Sequence, residues 1–238
     1  MNLKLLHIFL LSTAGTFLLC TPFINTVELA NGLVTGKMCW FHLAMLFFSV
    51  CVFFVMLTKK GTVIAFTFSD PLVLFFAGGV LITYKWNLNP EPEKLIFAGQ
   101  LVILWFLLRY VLTAYREFKF FFLFVLMFTG LIEAVWGMQQ LHGYSHSNHS
   151  LFRLTGSFFN PGPYSGYIAV ILPVCLWTAL RFQKGMHYFA WICVGAILIV
   201  LPAGMSRSAW IAAVVACGWV YWTERIGWEK TKAVYRRY

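Results

Sequence analysis

"MCWFHLAMLFFSVCVFFVML", residues 38–57, runs for twenty residues without an Asp, Glu, Lys or Arg, and Lys59 and Lys60 follow it almost at once. As a helix it rises about 30 Å, the thickness of a bilayer's hydrocarbon core. The rest of the chain repeats this pattern of apolar block and basic edge. Of 238 residues 61% are hydrophobic and 11% charged, and the mean hydropathy is +0.77. A soluble domain carries roughly 25% charged residues to cover its surface, and this chain has too few. The expected fold class is therefore all-α, a polytopic integral membrane protein.

Eight apolar segments are expected to span: about 5–24, 38–57, 63–84, 95–112, 120–138, 163–180, 187–204 and 207–223. The first could pass for a signal peptide. It is too long for a typical apolar signal core, no small-x-small site follows it, and "FLLC" lacks the small residue of a lipoprotein-type site before Cys20. It is expected to stay as an uncleaved first span. The third is the least regular, because Asp70 of "SDP" is costly at mid-bilayer. The less costly arrangement lets Ser69 or Asp70 cap a helix beginning at Pro71, with residues 63–69 at the interface or re-entering.

The net charge is +10, from 18 Lys and Arg against 8 Asp and Glu. These cations sit in short clusters at the ends of apolar blocks, which is a topology signal rather than a nucleic-acid surface. With the N-terminus inside, Lys4, Lys59, Lys60, Arg109, Arg116, Lys119, Arg181, Lys184, Arg225, Lys230, Lys232, Arg236 and Arg237 lie on the cytoplasmic side. Lys37, Lys85, Lys94, Arg153 and Arg207 lie outside. The positive-inside rule then places both termini in the cytoplasm. Cys20, Cys39, Cys51, Cys175, Cys193 and Cys217 lie in or beside apolar blocks without a CxxC pair, as expected of small buried hydrophobes. No internal repeat is visible, so residues 1–238 read as a single transmembrane domain with a basic tail at 224–238.

The unusual residues gather on the outer side. "RLTGSFFNPGPYSGY", residues 153–167, carries an Arg, an Asn, two Pro and three Gly between apolar runs. Asn160-Pro161 is a helix start signal, and "GMSRSAW" at 204–210 does similar work for the last span, with Ser206 or Ser208 as cap. Both helices then begin on the outer face. A helix N-terminus suits an anion, and Arg153 and Arg207 stand beside these two starts. Guanidinium groups bind phosphate oxygens in a bidentate manner, so the two turns are expected to form a diphosphate cradle if they converge. A snorkelling Arg and a plain turn are the plainer reading of each alone. Glu133 falls in the outer third of the fifth span, where a carboxylate faces a cavity, pairs with Arg153 or Arg207, orients an acceptor, or makes a structural hydrogen bond. His142, His146 and His149 have a spacing that binds metal on a helix, but the Ser, Gly and Asn between them favour a solvated loop. "NHS" at 148–150 is a short, common glycosylation sequon.

"RLTGSFFNPGPYSGYIAVILPVCLW" followed by "SRSAWIAAVV", with "WGMQQ" at 136–140 before them, resembles the O-antigen ligase-related superfamily over roughly residues 130–220. That superfamily comprises O-antigen ligases, O-antigen polymerases and bacterial protein O-oligosaccharyltransferases. The resemblance implies a membrane glycosyltransferase of the bacterial inner membrane, acting at its outer face without metal or other cofactor. Its donor is an undecaprenyl-diphosphate-linked glycan, and its acceptor is a lipid A-core sugar, a growing polysaccharide or a protein hydroxyl. By the same resemblance Arg153, Arg207, Asn160, Ser206 and Ser208 bind the donor. Gly162 stands where the superfamily has a second Asn. Its members continue for about four more spans, with a periplasmic loop whose His activates the acceptor; no residue here matches that His, and Glu133 is the nearest substitute. The chain is then expected to supply the donor site, with a complementing polypeptide for the rest. A non-catalytic fragment and a small transport protein are the alternatives. Transport calls for repeated or broken spans with ionisable residues near the midplane, and neither pattern is visible.

Overall fold

A computed structural model describes residues 3–26, 31–59, 61, 67, 69–87 and 91–235. Lys60, Arg236, Arg237 and the stretches 62–66 and 68 lie outside the described residues, as do the side chains of Lys230 and Lys232. Every regular element described is helical. In chain order these are α1 (Leu3–Leu19), a short 3-10 turn (Thr21–Phe23), α2 (Gly32–Thr58), α3 (Ser69–Trp86), α4 (Pro92–Ala114) and α5 (Arg116–Leu141). There follow α6 (Pro161–Arg181), α7 (Gly185–Val200), a second 3-10 turn (Pro202–Gly204) and α8 (Arg207–Tyr235).

Among the described residues five helices are long and apolar enough to cross a membrane: α2, α4, α5, α6, and α7 continued to Gly204. The protein is thus all-helical and compatible with multiple passes through a membrane. The expected blocks 38–57, 95–112, 120–138, 163–180 and 207–223 each fall on one helix; 5–24 and 187–204 run on into the 3-10 turns, and 63–84 begins outside the described residues. The second begins at Gly32 rather than 38, and the last continues beyond 223 to Tyr235. Leaving the apolar block does not end α8, because Glu, Arg, Lys and Trp are adequate helix formers and no Pro stops it.

The chain divides into two compact units. The first comprises residues 1–21 and 38–122, and the second 22–37 and 123–238. In the first, Leu11, Phe48, Val52, Val55, Val111 and Phe118 form the core. His7 is buried among them and spends both ring nitrogens, one on the Tyr115 hydroxyl at 2.6 Å and one on the Thr58 hydroxyl at 2.8 Å. Tyr115 is the single residue between α4 and α5, and its extended backbone breaks what is otherwise one helical run.

The start of α3 differs from expectation. The helix begins at Ser69, and the Asp70 carboxylate reaches back to accept from the Thr67 amide at 2.7 Å. Asp70 is buried, yet it also accepts from Trp105 Nε1 at 2.9 Å and pairs with Arg109, both on α4. The cost of taking a carboxylate out of water is offset by these four donors, counting the Thr67 hydroxyl.

The second unit is built on α6, whose buried residues Tyr164, Ile168, Ile171 and Cys175 meet Met127 of α5, Cys193 and Ile197 of α7 and Ala213 of α8. Cys51, Cys175 and Cys193 are buried as expected, but Cys39 is exposed. A thiol on an apolar helix loses little by facing lipid, so apolar surroundings do not require a place in the core.

Asp70→Ala removes the buried carboxylate to which Arg109 and Trp105 donate. It is expected to lower the thermal midpoint in detergent micelles clearly, and Asp70→Leu combined with Arg109→Met to recover most of that loss.

Candidate functional site

The segment between α5 and α6 folds around one side chain. Gln140, in the last turn of α5, is buried. Its Oε1 accepts from the amides of Thr155 at 2.9 Å and Gly156 at 2.7 Å. Its Nε2 donates to the carbonyls of His146 and Gly156, each at 3.1 Å. Asn148 adds a second clamp, donating from its side chain to Gly156 O at 3.1 Å and Phe158 O at 3.0 Å. The Thr155 hydroxyl meets Ser147 Oγ at 3.1 Å. Residues 154–157 are buried by this arrangement, while Arg153 remains outside it, exposed.

Gly156 carries φ +56°, and a Cβ there would collide with Glu133 Oε2 and the Tyr164 ring. Only glycine satisfies both the left-handed backbone and the lack of space. Beneath it the Ser157 amide donates to Glu133 Oε2 at 3.0 Å, and Ser157 Oγ donates to Pro22 O at 2.6 Å. The Tyr164 hydroxyl donates to the carbonyl of Glu133 at 3.1 Å, over Gly137, where a side chain would strike that hydroxyl.

Glu133 is fully enclosed, and its Oε1 has no hydrogen-bond partner among the described residues. Neither Arg153 nor Arg207 pairs with it. The cation close enough to act on it electrostatically is Lys37, which donates to Ile24 O at 2.8 Å and lies 5.7 Å from the centroid of the Phe158 ring. Of the readings open for Glu133, the structural hydrogen bond is the one observed.

Asn160 stands at the N-cap of α6 with extended backbone, but its side chain makes no capping bond and is exposed. Pro161 opens the helix instead, needing no amide partner. At α8 the cap is Ser206, which accepts from Ala209 N at 3.4 Å and meets Ser208 Oγ at 3.3 Å. The preceding Met205 adopts φ +53°, which turns the chain sharply into the helix.

The two starts are joined. Ser165, in the second turn of α6, donates to Gly204 O at 2.9 Å, and a Cβ on Gly204 would occupy the space of that hydroxyl. Near the other end Glu224 of α8 accepts from Trp177 Nε1 at 3.1 Å and lies 3.9 Å from Arg181, both on α6. Contacts at both ends make α6 and α8 parallel neighbours with their N-termini together. Arg153 and Arg207 are exposed, and neither has a hydrogen bond or ion pair among the described residues. Glu133 and Glu224 are the only carboxylates among this unit's described side chains, one enclosed and the other at the far end.

The histidines serve the loop. His142 Nδ1 bonds the Met138 carbonyl at 2.9 Å, His146 offers its carbonyl to Gln140, and His149 Nδ1 accepts from Leu151 N at 3.1 Å. Among the described residues no three His, Cys, Asp or Glu side chains come together as metal ligands. Asn148 of the sequon is occupied in holding Gly156. Gln140, Ser165, Gly204 and Lys37 were missed by sequence reasoning. The detectable signal was a Gln near the end of an apolar block, inside "WGMQQ".

No family model, curated protein or solved structure matches this chain.

Gln140→Leu leaves two buried amides without acceptors and is expected to cost about 2–4 kcal/mol, read by chemical unfolding in micelles. Gly156→Ala meets both strain and collision, and is expected to cost as much or more, whereas Gly162→Ala, with nothing within 4 Å of its added methyl, is near neutral.

Proposed function

We propose that the chain binds the diphosphate of a polyprenyl-linked glycan and takes part in glycosyl transfer of the O-antigen ligase type. The observation that carries this reading is the Ser165–Gly204 hydrogen bond. It sets side by side the starts of α6 and α8; Arg207 opens α8 and Arg153 lies in the loop before α6, both exposed and without an ion pair among the described residues. Both N-termini contribute partial positive charge; the α6 start offers the single amide of Gly162, since Pro161 and Pro163 carry none, and the α8 start has no such gap. Arg153 and Arg207 contribute bidentate donors matched to phosphate oxygens, with Asn160, Ser206 and Ser208 as further polar groups at the same edge. A single phosphate needs one such start; a diphosphate uses two.

In such a transfer an acceptor hydroxyl attacks the sugar's anomeric carbon as the bond from that carbon to the diphosphate oxygen breaks. The departing lipid diphosphate takes the electron pair, and the hydroxyl proton passes to a base. Negative charge therefore grows on the diphosphate in the transition state, where preorganised cations stabilise it most. Glu133 is not assigned as that base, because it is enclosed and its Oε2 is occupied by the Ser157 amide. Its role here is to hold the loop that presents Arg153.

The chain is read as passing the membrane eight times with both termini in the cytoplasm, in the bacterial inner membrane. The support is the bias of Lys and Arg toward one set of connections. Both Arg-bearing turns then face the periplasm, where the acceptor is a lipid A-core sugar, a polysaccharide end or a protein hydroxyl.

Binding of an undecaprenyl-diphosphate glycan to purified protein tests the reading. Arg153→Ala and Arg207→Ala are each expected to weaken it about tenfold or more, while Arg225→Ala, on the far half of α8, leaves it unchanged. Equal affinity in all three variants and the parent would sink the proposal.

A further inference from the structure

We infer that the first unit holds a separate site for the phosphate of an anionic membrane lipid, in the cleft where the start of α1, the end of α2 and the α4–α5 junction meet. This cleft has a volume of about 620 Å³ and is lined by Leu3, Lys4, Lys59, Tyr115, Arg116 and Glu117 among others. It lies at helix ends, where a membrane helix meets the headgroup layer.

Its charges do not cancel. Glu117 is the one carboxylate lining it and is bound to Lys4 at 2.6 Å. Lys59 Nζ donates to Ala114 O at 2.5 Å and stands 4.1 Å from the centroid of the Tyr115 ring. A carbonyl and an aromatic face hold an ammonium in place without neutralising it. Arg116 rests 5.4 Å from the Phe120 ring centroid, is exposed and has no ion pair among the described residues. Two cations are thus left to meet an anion. Arg116 also opens α5, so the first amides of a 26-residue helix point toward the same place.

The floor is fixed in advance. Tyr115 is clamped by its hydroxyl to His7, and His7 in turn to Thr58. Binding an anion therefore orders little that is not already ordered.

A lipid fits better than a free ion because of what borders the cleft. Leu3 lines it and is 48% exposed, and Leu5 and Leu57, next in the chain to the lining residues Lys4 and Thr58, are 60% and 66% exposed. Acyl chains can lie along these side chains while the phosphate reaches Lys59 and Arg116. Free phosphate has the same headgroup chemistry but no use for the apolar margin.

The test uses the full chain in nanodiscs of phosphatidylcholine with a minor fraction of phosphatidylglycerol, counting lipids retained on release by native mass spectrometry. Lys59→Gln and Arg116→Gln are each expected to lower retained phosphatidylglycerol about fivefold relative to phosphatidylcholine. Arg116→Gln alters only an exposed contact, so folding is not at stake. Glu117→Gln removes the competing carboxylate and is expected to raise retention, a direction that misfolding does not produce. Unchanged retention across the three variants overturns the site. If excess inorganic phosphate displaces phosphatidylglycerol in the parent, the cleft takes free phosphate and the lipid assignment fails; continued retention supports it.

Discussion

The carboxamide of Gln140 uses all four of its hydrogen-bonding positions on backbone groups of the loop it faces. A loop folded against apolar helices has little water to complete its amides and carbonyls, so the protein must supply the partners. Gln140 supplies four of these bonds from the last turn of α5. The shape of residues 154–158 follows, and with it the glycine at 156, the amide that reaches Glu133, and the point at which Pro161 starts α6. Arg153 is exposed just before the buried run of residues 154–157.

The same rule governs the other buried polar groups. His7 is satisfied from α2 and the α4–α5 junction, Asp70 from α4, and Thr129 from Tyr167 of α6 at 2.8 Å. Each has at least one partner from a different element, so polar satisfaction and helix packing are linked. Glu133 Oε1 stands apart. Its carboxylate is fixed through one oxygen while the other has no partner among the described residues, and Lys37 acts on it through space rather than by contact.

Much of the fold was legible from block length and the scarcity of charge, since thickness and composition determine where helices can lie. The pairings were not. Asp70 reads as a difficulty in the sequence, because nothing there brings Arg109 and Trp105 to it. Asn160 reads as a capping side chain, yet Pro161 already removes the need for one amide partner, and the Asn is left outside. For the candidate site, Arg153 and Arg207 could be found from the turns that carry them. Ser165 and Gly204 could not, because a small polar residue on one helix and a glycine before another acquire meaning only when the two are adjacent. Gln140 was visible in "WGMQQ", but which backbone groups it serves depends on a loop whose path no periodicity encodes.

The parallel pair α6 and α8 is fastened twice, by Ser165 to Gly204 near one end and by Trp177 and Arg181 to Glu224 near the other. A pair of rods tied at a single point can scissor; tied at two, it cannot. The spacing between the starts of these helices is therefore a fixed gauge rather than a jaw. A ligand bridging them is measured against a set length. It gains from not having to draw the helices together, and it is refused if its charged groups stand at the wrong separation.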